Sequence, residues 1–283
     1  MTKDNSTSLS LDELPDTWVD ELKLYRPTDL LVLIRHILGK RRRAVVPESV
    51  MRDKTFPTYL LAEYHGLPNG YFSKHFTHGY IRMFDRVMLG SMTKLRERIV
   101  AAFAGLDRVL DIGSGGGQQA AMLAASGIPE VIGIDASPYL VAHAHQSFPQ
   151  LQFNARAAEE TGLPDADFDA ICLSFVFHEI PPKYADRAIA EIHRILKPGG
   201  ELIIAEPSSL QLELRAMDLF RRFGWRGLYF RQLARHMHEP FLAPWHSKDH
   251  VQWLAANGFS LVEEDQSCPI HWWRARKCLM NKH

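Results

Sequence analysis

A carboxylate and three glycines stand within seven residues: Asp111, Gly113, Gly115 and Gly117, with Ser114 between them. Glycine at alternate positions lets a backbone turn sharply and approach a ligand with no Cβ in the way. An acid beside that turn would repel a pyrophosphate and suit a cationic group. A second acid, Asp135, ends the apolar run Val131-Ile132-Gly133-Ile134, eighteen residues beyond Gly117. A carboxylate there can accept hydrogen bonds from both hydroxyls of a ribose. His178 lies in the stretch Phe175-Val176-Phe177-His178-Glu179-Ile180. An imidazole titrates near neutral pH and can take a phenolic or hydroxyl proton.

The elements that must position these groups can be read from the surrounding pattern. Val109, Leu110 and Ile112 form a short apolar run of the kind that buries a parallel strand. Residues 118–126 read as a helix, so a strand passes through a bare turn into a helix N-terminus. The dinucleotide fingerprint needs a further glycine where Gln118 stands. Ser137-Pro138 opens another helix, with Ser137 or Asp135 as its cap. Phe168 to Ser174 reads as a strand. Leu196-Lys197-Pro198-Gly199-Gly200 is a helix stop before another strand.

An acidic residue followed by Gly-x-Gly-x-Gly, then an acid ending the next strand, resembles the class I S-adenosylmethionine-dependent methyltransferases. The Phe168-Asp169 strand and the Leu-Lys-Pro-Gly-Gly turn carry the likeness on to residue 206, closest to the small-molecule group that includes ubiquinone and menaquinone C-methyltransferases. The resemblance implies a Rossmann-like α/β fold: a seven-stranded, mostly parallel methyltransferase sheet with an antiparallel last strand. It implies S-adenosylmethionine as cofactor, held by Asp111, Gly113, Ser114, Gly115, Gly117, Asp135, Ala136, Ala158, Glu159 and Ser174. Many relatives carry Asp where Ala157 stands, so backbone near Ala158 or the Glu159 side chain takes over the adenine contact. In that fold the acceptor and the methyl group meet near His178, which makes it the candidate general base, a local hydrogen-bonding role being the alternative. Tyr71, Phe72, Tyr80 and Phe84 become candidates for the acceptor wall, and ordinary core aromatics is the plainer reading.

Length and composition set outer bounds. The chain has 283 residues, 46% of them hydrophobic, and equal numbers of basic and acidic side chains. That balance disfavours a nucleic-acid partner. Three cysteines without metal spacing point to a reducing, cytoplasmic setting, and the polar start Met1 to Ser10 lacks a secretory leader pattern. The histidine pairs His236/His238 and His246/His250 fit no metal motif, so no metal site is expected. The organisation expected is a disordered tail over 1–12, an N-terminal helical cap over 13–104, and a catalytic core over 105–283 with a helical insert at 208–245. Residues 28–43 read as an apolar helix with a basic end. It either packs on the core with that end solvated, the more ordinary arrangement, or makes a peripheral membrane contact. The activity expected is methyl transfer to a small or medium, aromatic or lipophilic acceptor. A NAD-type Rossmann oxidoreductase and a non-catalytic cofactor-binding subunit are the rivals; the oligomeric state is left open.

Overall fold

The computed structural model describes residues 10–39, 42–51, 56–237 and 239–279. Seven strands form one sheet: β1 (Arg108–Ile112), β2 (Glu130–Asp135), β3 (Gln152–Ala155), β4 (Phe168–Ser174), β5 (Leu196–Pro207), β6 (Phe259–Gln266) and β7 (Ile270–Lys277). Their order is β3-β2-β1-β4-β5-β7-β6. The first five pair in parallel, and β7 runs antiparallel between β5 and β6. This is the Rossmann-like methyltransferase sheet expected from sequence.

Alternation along each strand divides the apolar side chains between two cores. Leu110, Ile112, Ile132, Ile134, Ile171, Leu173, Leu202, Ile204 and Trp273 face one side. Val109, Val131, Ala170, Cys172, Ile203, Ala205 and Trp272 face the other. Both faces are apolar because helices cover both, which is why these strands read as continuous hydrophobic runs. Helix α7 (Pro182–Ile195) seals the first core with Ala185, Ala188, Ile189, Ile192 and Ile195. Helices α4 (Ser91–Ala102), α5 (Gln118–Ala125) and α6 (Pro138–Ser147) contribute to the second. Ser137 caps α6 by accepting from the Leu140 amide at 3.2 Å.

Ahead of the sheet lie α1 (Pro27–Leu38), α2 (Glu48–Met51) and α3 (Lys74–Val87). Tyr64, Tyr71 and Phe72 of this N-terminal segment pack on Tyr139 and Leu140 of α6. Packing of α1 on the core is not what the structure shows: among its residues only Leu33 is buried. Both sheet faces are already covered, and the tie from α1 is polar, from His36 to Glu63 at 2.7 Å. Residues 1–9 of the expected tail, Lys40 and Arg41 of the basic end, and His238 lie outside the described residues.

Between β5 and β6 come α8 (Leu210–Glu213), α9 (Ala216–His236), α10 (Leu242–His246) and α11 (His250–Ala256). These helices fall largely within the insert expected at 208–245, and α9 is broken at Gly224. The cap of α11 is Asp249, which accepts from the Gln252 amide.

Gly117, at φ 83°, starts α5, and a Cβ there would lie 2.7 Å from the Phe153 ring. Gly127, at φ 97°, faces open space. Gly117→Ala is therefore expected to cost about 2–4 kcal/mol, strain plus overpacking, and Gly127→Ala only about 1 kcal/mol. Equilibrium urea denaturation measures both; equal losses would mean that the Phe153 ring gives way freely.

Candidate active site

The glycine turn sits where the sheet order reverses, between β1 and β4, at the C-terminal ends of the strands. Ligands of open α/β sheets bind at such switch points. The amides of Gly113 and Ser114 both donate to the Ile134 carbonyl, at 2.8 and 2.9 Å, which pins the turn to the end of β2. A Cβ on Gly113 would lie 2.3 Å from Val176, so the turn and the chain after β4 touch at bare backbone. Gly115 has positive φ and nothing within 4 Å of its missing Cβ, because that side opens into a cavity.

The cavity holds about 160 Å³ and opens to solvent. Asp111, Gly113, Ser114, Gly115, Asp135, Ala136, Ala158 and Ser174 line it. Two expected residues do not. Gly117 faces Phe148 and Phe153 in the core, since its position is fixed by the start of α5. The Glu159 carboxylate turns away to the Tyr59 hydroxyl, which donates to it at 2.8 Å.

The two acids at the strand ends differ in how they are satisfied. Asp135 accepts from the Gly115 amide at 3.0 Å and the Ser137 amide at 2.9 Å. Its carboxylate thus welds the glycine turn to the start of α6 and keeps lone pairs for a hydroxyl. Asp111 is buried, yet its Oδ2 has no hydrogen-bond partner. Burial pushes its carboxyl up to about 7, against the contacts with Cys172 and Arg96, and pushes Asp135 up to about 6 despite the Ser137 and Gly115 amides. Ser114 Oγ, both amide atoms of Gln119 and Ser174 Oγ are likewise buried, unpartnered and on the cavity wall. Such a set of buried polar atoms is costly without a ligand that fills it. Arg96, which the sequence did not single out, also lines the cavity; Asp85 fixes its guanidinium with two hydrogen bonds at 2.7 and 2.9 Å. Together an unsatisfied carboxylate, a fixed guanidinium, a carboxylate over open backbone and free hydroxyls suit the amine, carboxylate and ribose of an adenosyl amino acid.

His178 requires a correction. Its ring is fully buried but does not line the cavity. Nδ1 meets Glu206 Oε2 at 2.6 Å, and Glu206 also accepts from the amides of Val176 and Phe177 at 2.9 and 2.7 Å. Burial opposes charge on the imidazole, but Glu239 and Glu206 outweigh it and raise its pKa to about 9. A buried ring that is held by Glu206 and absent from the cavity wall does not suit the general-base assignment. The cavity-facing group is its neighbour Glu179. The Glu179 carboxylate is paired with His65 Nε2 at 2.7 Å and accepts from Tyr71 at 2.8 Å. Burial pushes its pKa up, but His65 and Tyr71 prevail and hold it below the usual range. Tyr71, Phe72, Tyr80 and Phe84 all line the same cavity, joined by Phe175. Phe175 sits at φ 61°, a strained conformation for an aromatic residue, and turns its ring edge against both Phe84 and His178.

A cationic ligand favours the ionised forms of Asp111 and Asp135, both partly protonated near pH 6–7. Affinity for S-adenosylmethionine is therefore expected to rise with pH from about 5 to about 7.5, with protons released on binding. Without ligand, the native carboxyls hold protons that the unfolded chain has lost, so stability falls as pH rises from about 4 to about 7. Titration calorimetry in buffers of different ionisation enthalpy reads the released protons. Asp111→Asn should remove most of them and weaken binding about tenfold or more.

Comparison with known proteins agrees with this geometry. Residues 110–204 match the family model described as a methyltransferase domain. An uncharacterized methyltransferase from Synechocystis is 39% identical over 93 residues, which is 33% of this chain and 43% of that protein. Demethylmenaquinone methyltransferase from Beutenbergia cavernae is 36% identical over 103 residues, 36% of this chain and 42% of that protein. The one from Renibacterium salmoninarum is 33% identical over 127 residues, covering 43% and 51%. The matches thus span about half or less of these relatives. A solved structure from Pyrococcus horikoshii aligns with TM-score 0.52 at 18% identity, over 66% of this chain and 90% of that one, which shows the shared fold. The matched methyltransferase domain, on the strands that carry Asp111, Asp135 and Ser174, removes the dinucleotide alternative. Residues 110–204 of this chain thus form a methyltransferase domain.

Proposed function

We propose that the protein transfers a methyl group from S-adenosylmethionine to a small or medium acceptor of aromatic or lipophilic character. The observation that carries this reading is the buried, unpartnered Oδ2 of Asp111 on the wall of the cavity at the glycine turn. Asp111 would hold the ammonium, Arg96 the carboxylate, Asp135 the ribose, and the backbone around Ala158 the base. S-adenosylmethionine, when bound, supplies an activated methyl carbon and its own leaving group. The protein's share is then to place two reactants in line and to exclude water.

The wall formed by Tyr71, Tyr80, Phe84 and Phe175 offers flat apolar surface to the acceptor. The tyrosine hydroxyls do not ionise near neutral pH: burial and the nearby Glu179 raise both Tyr71 and Tyr80 well above the ordinary phenol. They serve as hydrogen-bond donors. Glu179 is the group placed to receive an acceptor's O–H or N–H proton. His178 and Glu206 hold the turn on which Glu179 stands. The demethylmenaquinone methyltransferases among the relatives favour an acceptor of the quinol kind.

Calorimetry on the full chain should detect S-adenosylhomocysteine and not NADH; failure to bind S-adenosylhomocysteine would sink the reading. With a panel of phenols, quinols and polyketides, release of S-adenosylhomocysteine should be detectable. Glu179→Gln is expected to lower turnover about a hundredfold or more while leaving S-adenosylhomocysteine affinity within about threefold. Binding without turnover on any acceptor would favour the non-catalytic partner subunit instead.

A further inference from the structure

Helix α1 presents an apolar face that nothing among the described residues covers. Leu30, Leu31, Ile34, Ile37 and Leu38 recur at the spacing of one helical face, and each is more than a third exposed, Leu38 as much as 81%. Leu24 and Tyr25 before the helix and Val45 after it extend the patch, at 50%, 79% and 64% exposure. A water-soluble surface rarely leaves so many large apolar groups together without a partner.

Charge says what that partner is. Between residues 23 and 43 stand seven cations, Lys23, Arg26, Arg35, Lys40, Arg41, Arg42 and Arg43, against one acid, Asp29. The whole chain carries 33 of each sign, so this is a strong local excess. Among the described residues Lys23 and Arg26 precede the apolar face, and Arg42 and Arg43 follow it. At twelve residues α1 is about 18 Å long, too short to cross a bilayer. No helix among the described residues is long and apolar enough to cross a membrane. A short helix with an apolar face and flanking arginines is built to lie in a lipid headgroup layer, with its cations at the phosphates.

We infer that α1 and the described residues flanking it, 23–39 and 42–45, form a docking surface for an anionic lipid bilayer. The surface is coupled to the cavity. His36 of α1 contacts Glu63 Oε1, which accepts the Asn69 amide at 2.8 Å. Asn69 in turn accepts from the Val45 amide at 2.7 Å. Residues 63–72 therefore tie the docking face to Tyr64, Tyr71 and Phe72 of the cavity wall. An acceptor dissolved in the bilayer would have the shortest route to that wall. The docking surface itself does not depend on methyl transfer: a chain that binds lipid but not S-adenosylhomocysteine would keep this inference and lose the proposed activity.

The test is flotation of the full chain with vesicles of phosphatidylcholine containing about 30% phosphatidylglycerol, against phosphatidylcholine alone. Binding to the anionic vesicles should be about tenfold or more stronger, and should weaken as salt rises from about 0.1 to about 0.5 M. The triple variant L31E/I37E/L38E and the charge reversal R42E/R43E should each lose about tenfold or more in binding. Both change exposed positions, so unaltered S-adenosylhomocysteine affinity and denaturation midpoint verify that they fold. Equal binding to both vesicle types, or none to either, overturns the inference. So does a dimer in light scattering that L31E/I37E/L38E dissociates without any lipid binding, since a second copy would then be the occupant.

Discussion

The site rests on one constraint: along the central parallel strands, buried on both faces, the carboxylates stand where the strands start or stop. Asp135, Asp111 and Glu206 stand at the C-terminal ends of β2, β1 and β5, with Ser174 ending β4 between the last two. Polar groups thus form a row across four adjacent strands. Each buried carboxylate must be compensated by the chain that follows a strand, because the sheet interior offers nothing polar. Asp135 is compensated by the Gly115 and Ser137 amides, and Glu206 by the Val176 and Phe177 amides together with His178. These bonds hold the loops in place. Asp111 lacks such compensation at Oδ2. The same arrangement therefore builds the cavity and leaves one charge unsatisfied inside it.

This division of labour explains why His178 and Glu179 have different duties although they are neighbours in sequence. The turn Phe177–Glu179 is short, so consecutive side chains diverge. One goes inward to Glu206, which contacts the His178 ring and accepts from the amides of Val176, Phe177 and His178, fixing the turn. The other goes to the cavity wall, where it meets His65 and Tyr71 from the N-terminal segment. Glu239, from beyond α9, approaches both His65 and His178, at 3.5 and 3.7 Å. The N-terminal segment, the turn after β4 and the insert thus meet in one buried group of histidine and glutamate side chains.

Much of the frame was legible in the sequence, since an apolar run that ends in an acid is a local signal. It located β1 and β2 with Asp111 and Asp135, and the glycines located the turn. The same signal stands at Ile203-Ile204-Ala205-Glu206, yet only its strand was read and not its acid. Other members of the site leave no local trace. His65 reaches Glu179 across 114 residues of chain, and Arg96 looks like any polar position of an amphipathic helix. Pairings of that kind are created by tertiary folding and have no periodicity to betray them. Helix α1 shows the converse. Its apolar spacing announced a helix correctly, but spacing says only that a face is apolar and not what covers it.

The chemistry of methyl transfer makes the pairing of Glu179 intelligible. An unpaired carboxylate on the wall would stabilise a cationic reactant more than a transition state in which that charge disperses, and would slow the step. Glu179 is not unpaired: the contact with His65 and the hydrogen bond from Tyr71 spread its charge before any ligand arrives. The same partners leave an oxygen able to accept a hydrogen bond from an acceptor hydroxyl. A carboxylate held in this way can orient a nucleophile and take its proton as attack proceeds, without trapping the methyl donor beforehand. The N-terminal segment, outside the strands that carry Asp111 and Asp135, supplies the groups that hold Glu179 in this way.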